Sequence, residues 1–360
     1  MPSPTTSAPS FKAVLIDHNY STTQYEREII EAAGGVFIDG EQHPLDETLA
    51  LCRDAEGILC RRLQVTPEMI QTFKKCKILV RYGIGTDNIN VDAATAAGII
   101  VGHIPDYCLD EVSVHAIGLL LACVRRIITI HEKVRRGGWD VHREEPVWRM
   151  QGRTLGLIGL GKIGQAVARK MQGWGLRLLA ADPYQNPSVA ASLGVDLVDL
   201  DRLCRESDYV SVHVPLLPET HHLLGAREFG LMRPEAIVVN TARGPVLDTQ
   251  ALLEALNQRK IGQAALDVFE EEPLPLDSPM RSHPKMIVTD HTAWYSEESQ
   301  IQLQKSAARE IARVCTGGLP NSLANPEVLE KLGRYREWEP SPSVRWQLTR
   351  LERMRNKTAP

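Results

Sequence analysis

Two sets of residues in this 360-residue chain have the types and the spacing that chemistry needs. The first is the glycine-rich run GLGKIG, Gly159 to Gly164, which follows an apolar stretch and opens a segment of helical period, residues 165–173. Gly159 would permit a tight turn, Gly161 would let the backbone approach a pyrophosphate, and Gly164 would let helix and strand pack closely. The N–H groups at the start of the helix would bind phosphate oxygens. We therefore predict a dinucleotide-binding turn.

An acidic residue follows this turn at the distance that nucleotide recognition requires. Asp182 ends the next apolar run, eighteen residues after Gly164, close to the spacing of about 20 for an acid that binds a ribose 2′-hydroxyl. An Asp at this point repels a 2′-phosphate, and Pro183, Tyr184 and Gln185 supply no cation. The cofactor is therefore predicted to be NAD rather than NADP. The alternative is that Asp182 only caps the end of the strand.

Three polar residues form the second set, and each lies at or just past the end of a later apolar run. Arg243 follows VVNTA, Glu272 lies after ALDVF, and His291 follows IVTD. Ligands of open α/β sheets bind at the carboxyl ends of the strands. Hydride transfer to a ketone needs a donor that polarises the carbonyl and an acid that protonates the alkoxide; Arg and His suit these roles, with a carboxylate to orient the His. Spacing leaves open whether the three converge or are a surface cation, a solvated acid and a loop cap.

The elements that would position these residues alternate between short apolar runs and helical segments. In the N-terminal part, Thr66, Pro67 and Glu68 are typical of a helix start, with Thr as the N-cap and Pro at the first helical position. Strands and helices that alternate at this spacing predict a parallel sheet covered on both faces. The predicted strands are residues 13–17, 35–39, 57–60, 77–82 and 98–102.

One long helix is predicted over residues 110–136. Asp110 and Glu111 stand at its start, basic residues fill its second half, and Gly137 and Gly138 stop it. Its 27 residues would reach about 40 Å, enough to run between two domains. A long helix inside one domain is the alternative.

A second series of strands and helices follows this helix. Six strands with helices between them is the count of a complete dinucleotide-binding sheet. Ser296 is predicted to cap a last helix, which Gly317 and Gly318 end. Residues 326–360 are polar and rich in Pro and Arg, so we expect a peripheral or disordered tail. The six predicted strands are residues 154–159, 176–182, 208–214, 236–242, 263–268 and 286–290.

Composition excludes several classes of protein. The chain has 41 basic and 45 acidic side chains, 24% charged and 43% hydrophobic residues, which is typical of a globular protein of two domains and excludes disordered, collagen-like and coiled-coil chains. Its weakly acidic balance argues against direct nucleic-acid binding. Seven cysteines without a C-x-x-C spacing predict reduced thiols and no metal site. The longest apolar stretch, residues 116–124, is far short of the ~20 residues of a membrane span, and residues 1–10 show no secretory signal. We expect a cytoplasmic protein.

Five longer segments together match one known family. On these segments the chain resembles the D-isomer-specific 2-hydroxyacid dehydrogenases, over about residues 12–320. Within that family it is similar to the subgroup of C-terminal binding protein and its bacterial enzyme relatives, on residues 104–120 and 291–296. His115 departs from the acidic or small polar neighbourhood that is common there. The segments are VRYGIGTDNIN (80–90), GRTLGLIGLGKIGQAVARK (152–170), NTARGPVLD (240–248), AALDVFEEEPLP (264–275) and TDHTAWYS (289–296).

The resemblance implies a role for each residue at a matching position. Arg243, Glu272 and His291 match the Arg, Glu and His of the family's catalysis. The substrate is bound in the family at the positions of Arg81, Tyr82, Gly83, Ile84 and Gly85, where the loop holds its carboxylate, and of Trp294. NAD is contacted at the positions of Gly159, Gly161, Lys162, Ile163, Gly164, Asp182, Val214, Pro215, Thr220, Thr241, Ala242, Arg243, Asp267 and His291.

The resemblance also implies an α/β fold of two doubly wound parallel-sheet domains. A flavodoxin-like substrate domain would comprise residues 11–106 plus 297–325, and a Rossmann NAD-binding domain residues 107–296. Residues 1–10 would be a flexible leader. Homodimers would form largely through the NAD-binding domain.

The function that follows is NAD-dependent interconversion of a 2-oxo acid and a D-2-hydroxy acid. In reduction, Arg243 would hold the carbonyl and the carboxylate, and protonated His291, supported by Glu272, would protonate the oxygen. The alternative is an NAD(H)-sensing scaffold for partner peptides, as C-terminal binding protein resembles a dehydrogenase while acting in transcription.

Trp294 gives the expectation about the substrate's side chain. It lies three residues after His291, and by itself it could be an ordinary core or interface residue. The subgroup resemblance favours a Trp that faces the substrate, so we expect 2-oxo acids with medium apolar side chains to be preferred over glyoxylate, pyruvate and dicarboxylates.

Overall fold

The structure is a computed structural model that describes residues 10–140 and 146–333. Most of the predicted leader and residues 334–360 of the predicted tail lie outside the described residues. The chain divides into two compact units. One holds the described residues up to Tyr107 together with those from Ser296 onward, and the other runs from Cys108 to Tyr295. The two-domain α/β class expected from the sequence is confirmed.

The first unit is built on a five-stranded parallel sheet in the order β2-β1-β3-β4-β5, which is the flavodoxin-like order. Its strands are β1 (Phe11–Leu15), β2 (Gly35–Asp39), β3 (Gly57–Cys60), β4 (Ile78–Arg81) and β5 (Ile100–Gly102). Its helices are α1 (Gln24–Ala32), α2 (Leu45–Cys52), α3 (Pro67–Thr72), α4 (Val91–Ala97), α12 (Glu297–Cys315) and α13 (Glu327–Lys331).

The second unit is built on a seven-stranded parallel sheet in the order β12-β11-β10-β9-β6-β7-β8, a Rossmann arrangement with one additional strand. Its strands are β6 (Thr154–Ile158), β7 (Arg177–Ala181), β8 (Val195–Leu197), β9 (Tyr209–Val212), β10 (Ile237–Asn240), β11 (Gln263–Leu266) and β12 (Met286–Val288). Its helices are α5 (Leu109–Val124), α6 (Ile127–Arg135), α7 (Lys162–Lys170), α8 (Pro187–Ser192), α9 (Leu200–Glu206), α10 (Ala226–Leu231) and α11 (Thr249–Asn257).

Both faces of the second sheet are covered, which explains why most residues of its strands are apolar. Leu155 and Leu157 of β6 pack on one face with Val167 of α7. On the opposite face, Val210 of β9 packs with Phe229 of α10. Burying each such side chain stabilises the fold by about 1.5–3 kcal/mol. The two layers hold the strands in register, so their carboxyl ends form one edge.

The prediction of one helix over residues 110–136 is wrong. Helix α5 ends at Val124, α6 begins at Ile127, and the two axes differ by 59°. Arg126 between them has a left-handed backbone, φ 52°. The break falls where burial ends, because α5 packs into the core through residues such as Leu120 and Cys123, whereas α6 buries none.

The prediction of a peripheral or disordered tail is wrong for residues 326–333. Helix α13 lies within them, and its Val328 and Leu329 are fully buried. The preceding Asn325 fixes the segment, because its side chain accepts from the Val101 N–H and donates to the Ile99 carbonyl of the β5 region. The prediction failed because it relied on the polar composition of the whole segment, in which the two buried apolar residues Val328 and Leu329 are a small minority.

Smaller elements differ from the sequence expectations in extent. The three-residue edge strand β8 was missing from the six predicted strands; its length makes it hard to separate from a loop. Thr66 caps α3 as predicted, and Ser296 caps α12, which ends before Gly317 with φ 97°.

The described residues also bear on membranes, cysteines and metals. No single described helix is long and apolar enough to cross a membrane, and only α5 and α6 taken together, bent as they are, meet those criteria. All seven cysteines are free thiols. Within residues 10–140 and 146–333, no three His, Cys, Asp or Glu side chains are grouped so as to hold a metal ion.

Candidate active site

The predicted site residues of the second unit lie along the carboxyl edge of its sheet. The glycine-rich turn follows β6, Asp182 follows β7, Val214 and Pro215 come shortly after β9, the Thr241–Arg243 segment follows β10, Asp267 follows β11, and His291 comes shortly after β12. Open parallel sheets bind their ligands at this edge. The topology therefore gathers residues that are up to 132 positions apart in the sequence.

The glycine-rich turn has the geometry that its sequence predicts. Gly159 has φ 90°, and a Cβ there would lie 2.8 Å from Val214 Cγ1. A Cβ on Gly164 would lie 2.3 Å from the Gly159 carbonyl oxygen, so only glycine lets α7 start this close to the strand. A Cβ on Gly161 would meet open space, which leaves room for a ligand beside the first turn of α7, where Lys162 and Ile163 stand.

Asp182 is tied to the same turn. Its Oδ2 accepts a hydrogen bond from the Leu160 N–H at 2.9 Å, and its Oδ1 accepts from the Tyr184 N–H at 3.0 Å. Each oxygen keeps a lone pair for a hydroxyl group. The carboxylate thus has both the structural role and the free acceptor capacity that binding of a ribose would use.

Two further loops complete the nucleotide edge. Thr220 closes the loop after β9, because its hydroxyl donates to the Pro215 carbonyl at 2.6 Å. After β10, the Asn240 side chain accepts from the Ala242 N–H at 2.9 Å. The Thr241 hydroxyl is buried and has no hydrogen-bond partner among the described residues. An unsatisfied buried hydroxyl at this edge suits a ligand that brings its own polar group, so these residues fit a dinucleotide.

Asp267 holds the loop that carries His291. This carboxylate is 1% exposed and accepts from the Thr289 hydroxyl at 2.6 Å, from the Thr292 N–H at 3.0 Å and from the Ala293 N–H at 2.9 Å. His115 Nε2 of α5 lies 3.5 Å from the same carboxylate. The family resemblance gave Asp267 only as a match to an NAD contact. Its role in holding the His291 loop was not predicted, because its hydrogen-bond partners follow a different strand, β12, and no local sequence pattern reveals them.

Glu272 and His291 form a direct pair. Glu272 Oε2 lies 2.6 Å from His291 Nδ1, and Glu272 Oε1 accepts from the Phe269 N–H at 2.9 Å. Burial opposes ionisation of Glu272, but the His291 hydrogen bond and charge, the Phe269 N–H and the Arg243 charge outweigh it and lower the pKa of the carboxyl below its usual value. The ionised Glu272 accepts from Nδ1–H, which leaves Nε2 of a side chain that is 39% exposed to exchange a proton.

Arg243 lies on the neighbouring loop. Its backbone is extended, and it directly precedes a 3₁₀ turn, Gly244–Val246. Its guanidinium donates to the Ala242 carbonyl at 2.8 Å and contributes to the lowered pKa of Glu272. A cation, a carboxylate and a histidine thus share one edge of the sheet.

The predicted carboxylate-binding loop, residues 81–85, belongs to the first unit. A Cβ on Gly83, whose φ is 136°, would collide with the Arg81 guanidinium, so glycine lets that group lie over the backbone. The Tyr82 side chain is buried and donates to Glu26 Oε1 at 2.8 Å. The Ile84 carbonyl accepts from His103 Nδ1 at 2.8 Å, and Gly85 follows. The loop therefore presents its backbone and Arg81, while Tyr82 anchors it to the core.

Trp294 lies in the second unit, three residues after His291. Its ring packs edge-on against Tyr295 at 5.5 Å between centroids, and the residue is half-buried. An aromatic side chain that is neither buried nor free in solvent is available for contact with an apolar ligand.

Comparisons with known proteins agree with this arrangement. The family model described as D-isomer specific 2-hydroxyacid dehydrogenase, NAD binding domain, matches residues 117–293. A D-3-phosphoglycerate dehydrogenase of Methanocaldococcus jannaschii is 40% identical over 297 residues, which are 81% of this chain and 56% of that protein. A glyoxylate reductase of Korarchaeum cryptofilum is 37% identical over 269 residues, 74% of this chain and 81% of that protein.

A solved structure extends the likeness to the fold of both units. The D-lactate dehydrogenase from Aquifex aeolicus, complexed with NAD and lactic acid, superposes with a TM-score of 0.75 at 26% identity, over 85% of this chain and 96% of that one. The M. jannaschii relative is much longer, and the chain covers just over half of it.

Proposed function

The chain belongs to the D-isomer specific 2-hydroxyacid dehydrogenase family, and from that premise we propose that it interconverts a 2-oxo acid and a D-2-hydroxy acid with NAD(H). The observation that carries this proposal is the 2.6 Å pair of Glu272 and His291 beside Arg243 at the ligand edge of the NAD-binding domain. A scaffold that only senses NAD(H) has no need for a histidine that a carboxylate orients.

Each residue of the trio has a separate task in the proposed reduction. Arg243 binds the carbonyl and carboxylate oxygens, where its charge stabilises the developing alkoxide. Protonated His291 gives the proton on Nε2 to that oxygen, while Nδ1–H stays bonded to Glu272. When bound, NADH supplies the hydride. In the reverse direction, neutral His291 accepts the hydroxyl proton at Nε2.

The cofactor preference is a finer part of the proposal. Asp182 accepts from two backbone N–H groups and stands where a 2′-phosphate would meet a negative charge. We expect higher kcat/KM with NADH than with NADPH, and Asp182→Ala should narrow the gap between them. An equal or higher kcat/KM with NADPH in the natural protein would refute the assignment.

Substrate binding is proposed to use Arg81 and Trp294. Arg81 supplies a cation for the substrate carboxylate, and the ring of Trp294 contacts an apolar side chain. Two of the relatives are named for other substrates, since one is a phosphoglycerate dehydrogenase and another a glyoxylate reductase. The likeness to the C-terminal binding protein subgroup, on residues 104–120 and 291–296, is likewise a proposal.

One assay separates the enzyme from the scaffold. Oxidation of NADH is followed at 340 nm with glyoxylate, pyruvate, oxaloacetate and 2-oxo acids that carry medium apolar side chains, and D-3-phosphoglycerate is tested with NAD⁺. Turnover on any of them supports the enzyme, and the ranking tests the pocket. No turnover on the whole panel, together with micromolar NADH binding by calorimetry, would contradict the proposal and favour the scaffold.

A homodimer formed through the NAD-binding domain is the proposed assembly. Helix α6 buries none of its residues; Ile127 and Ile128 are about half exposed, and Trp139 is 88% exposed. We expect sedimentation analysis to show a dimer that Ile128→Glu dissociates. Leu276→Glu, at an apolar position of 90% exposure outside α6, should leave it intact, and a monomeric natural protein would contradict the assembly.

A further inference from the structure

Three glutamates stand in a row before Pro273, and the structure treats them differently. Glu272 binds His291. Glu271 makes no hydrogen bond or ion pair with any residue that the structure describes. Glu270 is held at both oxygens: Oε1 lies 2.5 Å from His222 Nε2, and Oε2 accepts from the Thr249 N–H at 3.3 Å. The run is therefore a loop pinned at its first and third residues.

His222 has a backbone that is costly for a residue with a side chain. Its φ is 50°, in the left-handed region, where the Cβ of a non-glycine residue crowds the following carbonyl oxygen. Its N–H donates to the Pro245 carbonyl at 2.8 Å, while its ring reaches Glu270. Backbone and side chain of one residue thus bind two different loops.

These two loops carry Arg243 and Glu272. Gly244, the residue after Arg243, lies directly on the peptide that joins Phe269 to Glu270, since a Cβ there would lie 1.9 Å from the Phe269 carbonyl. The N–H of Phe269 is the donor that holds Glu272 Oε1. A shift of the Glu270 end of this peptide therefore moves the groups that place Glu272.

We propose that His222 and Glu270 form a clamp that holds the Arg243 turn against the Glu272 loop and so sets how strongly Glu272 supports protonated His291. Both are positioning residues, and their effect on turnover rests on the proposed function. Apart from each other, the clamp residues face Asp248, whose Oδ2 is 4.0 Å from His222 Nδ1, and His221, whose ring centroid lies 4.0 Å from that of His222 with the planes tilted by 30°. Burial raises the pKa of Glu270, but the hydrogen bonds from Thr249 and His222 outweigh it and lower that pKa below its usual value, so the Glu270 carboxylate is ionised at neutral pH.

The test measures the pKa of His291 directly, by NMR titration of protein labelled at histidine ¹³Cε1, with the resonance assigned from His291→Gln. Glu270→Gln and His222→Ala should each lower that pKa by about 0.5 unit, because the Glu272 bond is loosened but not removed. His222→Gln keeps a side-chain N–H donor for Glu270, so the pKa measured in this variant should stay close to that of the natural protein. Glu271→Gln removes the same charge from the neighbouring, unbound position and should leave the pKa unchanged.

Kinetics on a substrate found with the panel supply the second readout. We expect kcat to fall by about threefold to tenfold in Glu270→Gln and His222→Ala with KM for NADH within a factor of two. A His291 pKa that is unchanged in both variants, or one that Glu271→Gln shifts equally, would overturn the clamp. The titration needs no turnover, so an inactive natural protein would refute the proposed function and still leave the clamp open to this test.

Discussion

The loop of residues 81–85 and the edge that carries His291 hold their functional groups by different physical means. In the first unit, Tyr82 is 2% exposed and bonded to Glu26, which is fully buried and also accepts from the Gln304 side chain. In the second unit, the side chains of Glu272 and His291 are 34% and 39% exposed. They form a hydrogen bond between two ionisable groups.

The difference separates stability from turnover. Removing a partner from a fully buried polar network leaves an unsatisfied group in the core, which lowers the free energy of unfolding. Removing a partner from the half-exposed pair leaves groups that water can solvate, so the fold tolerates the change while the acid/base chemistry does not. Variants of the two regions should therefore fall into two classes.

The largest effect is expected at His291. His291→Gln removes the only proposed proton donor, and kcat should fall by about 10²–10⁴-fold, while the dissociation constant for NADH and the unfolding midpoint stay close to those of the natural protein. Steady-state kinetics measures kcat, titration calorimetry measures the dissociation constant for NADH, and thermal unfolding measures the midpoint. Turnover near the natural rate on a confirmed substrate would show that the acid/base assignment is wrong.

Glu272→Gln should shift the pH dependence as well as the rate. Because the pKa of Glu272 is lowered, its carboxylate is ionised at neutral pH and favours protonated His291. Loss of that charge removes the electrostatic support of protonated His291, so the pH at which reduction declines on the alkaline side should move down by about one unit. Glu271→Gln is the matched control, and an unshifted profile in Glu272→Gln would contradict the pairing.

Tyr82→Phe tests the other side of the comparison. The Glu26 carboxyl loses a buried donor, which should lower the free energy of unfolding by about 1–3 kcal/mol. Burial raises the pKa of Glu26 despite its donors Tyr82 and Gln304, so this carboxyl ionises at a higher pH than an exposed glutamate does. As the pH rises above the usual glutamate range, a larger fraction of Glu26 is ionised in the fold, and the carboxylate needs the Tyr82 donor more than the neutral carboxyl does. The decrease in the free energy of unfolding caused by Tyr82→Phe should therefore be greater at pH 8 than at pH 5.

Urea unfolding at the two pH values measures this loss. Tyr25→Phe is the control, because the ring of Tyr25 faces Lys305 through a cation–π contact that Phe retains. If Tyr82→Phe were as stable as the natural protein, the conclusion that the buried network of the first unit contributes mainly to stability would be wrong.

The smallest effect is expected at Trp294. Loss of roughly 1–2 kcal/mol of aromatic contact in Trp294→Ala should raise KM for an apolar 2-oxo acid by about tenfold, with kcat and KM for NADH little changed. Steady-state kinetics with one apolar and one small substrate check it, and an unchanged KM for the apolar one would refute the pocket.

Features with a local physical cause could be predicted from the sequence. The glycine-rich turn follows from steric demands at Gly159 and Gly164, and the caps Thr66 and Ser296 follow from hydrogen bonds within one helical turn. The sequence also placed Arg243, Glu272 and His291 at the carboxyl ends of strands but left open whether they converge, and the 2.6 Å contact of Glu272 with His291 comes from the structure.

Features that depend on distant contacts could not be predicted. The break at Arg126 reflects where α5 runs out of core, and the burial of Val328 depends on packing against residues more than 200 positions away. The role of Asp267 in holding the His291 loop and the contact between His222 and Glu270 were missed, because the partner residues lie on other loops and a sequence pattern shows neither burial nor proximity.

The proposed function requires hydride to pass between NAD(H) and one face of the 2-oxo acid, so that the D-2-hydroxy acid is the form that is made or oxidised. The most direct measurement is the rate of NAD⁺ reduction with the separate enantiomers of the 2-hydroxy acid whose 2-oxo form is the best substrate of the panel. We expect kcat/KM for the D-enantiomer to exceed that for the L-enantiomer by at least about 100-fold. When the hydroxyl of the L-form is on His291 and its carboxylate on Arg243, its C2 hydrogen points away from NAD⁺ and cannot leave as hydride. Equal rates for the two enantiomers, or a preference for the L-form, would contradict the account.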